Sequence, residues 1–212
     1  MVGAPPRLTL AAVRRTCRAS TALLAACVPA ALVAFMPAVL AATPAYSVSG
    51  SCRDARPHGA YEVHMPDGRL RVAGAFNQGK RIGTFLFWSA TGIRVALLPF
   101  DDDVMSGTVA LWYPAASAKT EPARKLEAVY VGGRPVSATS WYPDGRLRTE
   151  IRYDRDGPAD ARAWSTSGKP LPDAQARALA ARDLAADAKF YDSLLALVRD
   201  NPPACETNER KS

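Results

Sequence analysis

Histidine is almost absent from this sequence: His58 and His64 are the only two in 212 residues. Zinc takes three or four ligands, and no third histidine stands with this pair. No metal site is expected, and His64 reads as a packing residue. Groups that would activate a nucleophile are missing too, since the serines at 47–51 and at Ser106 have no His or Lys at a telling spacing. The run Asp101-Asp102-Asp103 neither alternates its acids nor ends in Glu, as a calcium loop does, so it reads as a turn. The glycines of "YVGGRP" at 130–135 precede a strand rather than a helix, which rules against a phosphate loop. The expectation is a protein that is no enzyme, with no catalytic residues and no cofactor.

Acidic residues are lacking over a whole segment. Residues 1–42 contain Arg7, Arg14, Arg15 and Arg18 but neither Asp nor Glu. They hold four of the 27 Lys and Arg, so the remaining 23 face 20 acids, without a basic run. Nucleic-acid binders gather their positive charge on one face, and that class is set aside.

Charge of either sign is missing from Ala22 to Leu40, "ALLAACVPAALVAFMPAVL", and small residues follow. Basic, then apolar, then small is the order of a secretory signal, so residues 1–42 are expected to be an export signal peptide. The apolar stretch approaches the ~20 residues that span a bilayer, so an uncleaved N-terminal anchor is the alternative. Pro37 would break a helix just before the cleavage site and favours cleavage. Leu24-Ala25-Ala26-Cys27 resembles a lipobox, which makes Cys27 a candidate for lipidation. On any of these outcomes residues 43–212 lie outside the cytoplasm, periplasmic or envelope-associated. The membrane is touched only through an uncleaved signal or a lipid.

Only Cys52 and Cys205 remain beyond the leader. An even number of cysteines in an oxidising compartment points to a disulfide, here one joining the start of the folded region to its end.

What the sequence does contain is an internal repeat. Gly59, Gly83 and Gly107 open three successive units, and Gly68, Gly92, Ala116, Gly145 and Gly168 stand at one equivalent position in five. One column of the alignment is His64, Trp88, Trp112, Trp141 and Trp164, and it takes all four tryptophans of the protein. A second column is Phe76, Phe100, Tyr130 and Tyr153; the third unit is longer, through the insertion "ASAKTEPARK". Alternation in Tyr61, Val63 and Met65, and in Leu147, Ile151 and Tyr153, has the period of a half-buried strand. "PDG" at 66–68 and 143–145 supplies turns. The expected fold is mainly β: an elongated antiparallel meander of about five hairpins over residues 58–171, nine or ten strands, with residues 43–57 as a short linker.

The units "G-x-Y-x-x-x-x-P-D-G-R-L" and "F-x-x-G-K-R-x-G-x-F-x-F-W" resemble the bacterial variant of MORN repeats. The resemblance covers about 58–171, is closest in the first two units and in Trp141–Tyr153, and is degenerate in the third and fifth. It implies hairpins side by side in one long sheet, used for protein or membrane contact, with no shared catalytic residue. Some bacterial members of that family are classed as antitoxins.

Beyond Pro172 the character changes. Asp173 can cap a helix, and 174–199 is Ala-rich without Gly or Pro. Leu184, Ala188, Tyr191, Leu195 and Val198 fall on one face. A C-terminal helix over 173–200 is expected to lid one face of the sheet, followed by a flexible tail at 201–212. The functional expectation is a non-catalytic exported scaffold that contacts an unknown protein or envelope component. An antitoxin-like or immunity protein is the alternative, and a carbohydrate binder using the tryptophans a further one. The column Trp88, Trp112, Trp141 and Trp164 is taken as a packed spine, with an exposed stacking platform as its rival.

Overall fold

The computed structural model describes residues 46–114 and 121–205. The segment expected to be an export signal, with Cys27, lies outside the described residues. No helix among them is long and apolar enough to cross a membrane. Eleven strands form one antiparallel sheet: β1 (Ser47–Arg53), β2 (Arg56–His64), β3 (Leu70–Asn77), β4 (Lys80–Trp88), β5 (Arg94–Asp101), β6 (Val104–Met105), β7 (Gly107–Trp112), β8 (Arg124–Val131), β9 (Arg134–Trp141), β10 (Leu147–Tyr153) and β11 (Pro158–Ala163). Each pairs with its neighbour in sequence, except that β7 pairs past the two-residue β6 onto β5. The helix α1 (Asp173–Arg199) follows.

Two turn chemistries alternate at the two ends of the hairpins. At one end a tight pair of residues joins the strands, as Gln78-Gly79, Asp102-Asp103 and Gly132-Gly133 do, with both φ angles positive. This is the hairpin turn whose twist suits the strands it joins. The acidic run is therefore a turn, pinned by Lys80 to Asp102 at 2.9 Å and Arg81 to Asp103 at 2.7 Å. At the other end stand the glycines of the repeat. Gly68, Gly92, Gly145 and Gly168 all sit at φ between 81° and 83°, and each donates its N–H to the carbonyl three residues back.

Three expectations need correction. Residues 47–53 are not linker but β1, which pairs with β2 and makes the sheet one strand longer. The bond Cys52–Cys205 holds this mostly exposed edge strand. The N-cap of α1 is Pro172, without a side-chain bond, and Asp173 lies in the first turn instead. The buried stripe of α1 is Ala176, Ala180, Asp187, Tyr191, Leu194 and Val198. It takes a carboxylate, Asp187, where apolar periodicity picked Ala188, because a cation on the sheet meets it there.

One row of directly opposed residues crosses the face that α1 covers: Val63, Val72, Phe87, Ala96, Leu111, Leu126, Ser140, Thr149 and Ala163. All nine are buried. Its polar pair, Ser140 and Thr149, is satisfied by a mutual hydroxyl bond of 2.6 Å. A helix of 27 residues is about 40 Å long, and ten strands at ~4.8 Å span about 43 Å. The helix therefore crosses the sheet, from contacts with β11 at its start to Tyr61 on β2, whose hydroxyl donates to the Asn201 carbonyl at 2.6 Å.

Candidate functional site

The repeat places one irregularity at the same point of four hairpins. The column residues pair across their own turns, His64 with Leu70, Trp88 with Arg94, Trp112 with Arg124 and Trp141 with Leu147. One step further in, the register slips, leaving an extra residue on the returning strand: Arg71, Val95, Lys125 and Arg148. A bulge of this kind re-aims a side chain. Here it turns the extra residue toward α1.

Lys125 meets Asp187 at 2.7 Å and Arg148 meets Asp183 at 2.8 Å. The two aspartates are one helical turn apart, the spacing that puts them on one face. The sequence reading missed this column, although its signal was present: Arg71, Val95 and Arg148 each stand three residues after a turn glycine.

Asp187 is 7% exposed, and burial raises its pKa against the opposing pull of Lys125. A buried charge left without its partner costs about 3–5 kcal/mol. Lys125→Met is therefore expected to destabilise by about 3 kcal/mol at neutral pH. Because the fold raises the Asp187 pKa above its unfolded value, the cost applies while the carboxyl is ionised and fades as pH falls through the folded pKa. Urea midpoints taken from pH 7 downward check this. A loss that stays constant or grows on acidification would show that charge at Asp187 is not its source.

Next to these pairs lies a cavity of about 140 Å³ bordered by Tyr130, Tyr153 and Tyr191. Burial pushes all three phenols upward, so they stay protonated. The Tyr191 hydroxyl is buried beside that of Tyr130.

The tryptophan column takes the opposite side, because alternation turns Trp88 and Trp112 away from the helix-facing Phe87 and Leu111. Trp112 alone is buried, at 8% exposure, while Trp88, Trp141 and Trp164 are half-buried. A continuous tryptophan spine is thus not what forms. The aromatic spine lies on the helix face and comes from the second column: Phe76 and Phe100 meet Phe85 edge-on, at 5.5 and 5.7 Å. Over Trp112 stand the guanidinium groups of Arg94 and Arg124, at 4.4 and 4.9 Å from the ring centre. Successive units are also tied through the residue after the tryptophan. Tyr113 donates to the Trp141 carbonyl at 2.9 Å, and Tyr142 to that of Trp164 at 2.7 Å.

Beside this column runs a second opposed row, Ala73, Leu86, Leu97 and Ala110, with Glu62 at one end and Glu127 at the other. Leu86 and Leu97 are half-buried. Val129, on the same face, is 36% exposed.

Taken together, these features define a protein class by architecture: an open meander of bulged hairpins, covered on one face by a helix salt-bridged to it, with the other face bare among the described residues. No family model matches the sequence, and no curated protein matches it.

Proposed function

We propose that this protein is an exported, non-catalytic binding protein whose uncovered sheet face docks a protein partner of the cell envelope. The observation that carries the reading is the asymmetry of the sheet. One face is sealed by α1, while the other presents Trp88, Trp141 and the Leu86–Leu97 row around a charged rim. Apolar patches rimmed by polar residues mark protein contact sites, and aromatic and Arg side chains dominate such contacts. The Cys52–Cys205 bond supports an oxidising compartment, in line with the basic, apolar and small order of the leader. For a sugar-stacking platform the column is less apt, since two guanidinium groups already occupy Trp112.

The test is photo-crosslinking in bacterial cells from a probe at Thr84, on the bare face, compared with one at Lys189, exposed on α1. The expected result is a discrete adduct from Thr84 that Leu86→Arg abolishes, in cells where a reporter fused after residue 50 matures only outside the cytoplasm. Equal adducts from both positions, or a reporter retained in the cytoplasm, would refute the reading.

A further inference from the structure

We propose that a second cavity, between α1 and the bulged turns of the first hairpins, binds a small amphiphilic carboxylate, with Arg71 taking the head and α1 the apolar tail.

The argument starts from the bulge column. Of its three cations, Lys125 and Arg148 are neutralised by Asp187 and Asp183. Arg71 is not. Its Nε and Nη1 atoms are buried and make no hydrogen bond, and no carboxylate reaches it among the described residues. The helix explains why. Past Asp183 and Asp187, the next two turns present Tyr191, Leu194 and Leu195, so the row of acids ends before it reaches Arg71. Arg71 as a whole is half-buried, but buried N–H donors left without acceptors are costly, and a guanidinium is shaped to hold a carboxylate through two parallel hydrogen bonds.

Arg71 opens onto a cavity of about 540 Å³, with Val95, Trp112, Phe190 and Leu194 among its walls; Lys125 also borders it, but its charge is already taken by Asp187. Sites for small molecules have this size and this balance, mostly apolar with a few convergent polar groups. Val95 occupies the equivalent bulge position two strands from Arg71, about 9–10 Å away. An apolar wall thus stands where the next repeat could have placed another cation. The occupant defined by this chemistry has one carboxylate and an alkyl or aryl body.

Calorimetric titration of the purified protein with decanoate, 1-decanol and acetate tests the proposal. Decanoate is expected to bind. Decanol, with the tail and no charge, and acetate, with the charge and no tail, are each expected to bind weaker by roughly tenfold or more, the value of one charge-assisted contact. Arg71→Met should weaken decanoate by the same factor and leave decanol unchanged. Without ligand it should also melt at a higher temperature than the parent, because the two buried donors without acceptors are gone.

Ser193→Glu supplies a carboxylate from the helix. It should raise the melting temperature and abolish decanoate binding, which provides a reading even if Arg71→Met does not fold. Equal binding of decanoate and decanol, undiminished binding of decanoate by either variant, or no binding by the parent protein would overturn the proposal.

Discussion

Replacing Cys52 and Cys205 by serine is expected to lower stability by up to about 5 kcal/mol, the largest single effect in this protein. The bond joins residues 153 apart in sequence, and closing a loop of that length removes much of the unfolded chain's freedom. What it secures locally is the least protected part of the sheet. β1 is exposed along most of its length and, as an edge, pairs with β2 alone. On the other side of the bond, Pro203 packs within 3.1 Å of where a β-carbon on Gly50 would stand. Cutting the bond should therefore release both chain ends, and amide exchange should rise in 47–53 before the centre of the sheet responds. Urea unfolding with and without reductant measures the total effect. An unchanged midpoint under reductant, or peptide mapping that finds both thiols alkylated without reduction, would sink the idea.

Phe85→Ala should cost about 4 kcal/mol, at the centre of the helix-facing spine. Its ring is fully buried, touches Phe76 and Phe100 edge-on and leans on Tyr61 at 6.4 Å between centres. Room for that ring is made by a glycine. A β-carbon on Gly74 would lie 2.5 Å from two ring atoms of Phe85, closer than any real contact allows. Gly74→Ala alone should therefore destabilise by about 1–3 kcal/mol through overpacking.

The two effects should not add. Once the ring is gone the three atoms that crowd the new methyl go with it, so Gly74→Ala in the Phe85→Ala background should be close to neutral. A double-mutant cycle on denaturant midpoints reads the coupling directly. Strict additivity would mean that the ring does not rest on Gly74.

The repeat was legible because its signals are local. Turn glycines need positive φ, and strand alternation needs only near neighbours, so hairpins, meander and helix could all be read along the chain. Other features could not be read that way. Whether 47–53 was linker or strand depended on β2 being there to accept it, since its own residues are largely exposed. Which aromatic column became the spine depended on a one-residue register slip beside each turn. Alternation already turns Trp88 and Trp112 from the helix face, and the slip on each returning strand brings Phe76 and Phe100 onto it beside Phe85.

Apolar periodicity passes over Asp187, and only Lys125, 62 residues away in sequence, gives that carboxylate its place on the buried stripe. By itself, then, the sequence determined the hairpins, their turns, the helix and the pair of cysteines, because each follows from short-range stereochemistry and composition. Only the tertiary structure decided which face is sealed, which charges are matched and that Arg71 is left without a partner, because those depend on what packing brings across from distant parts of the chain.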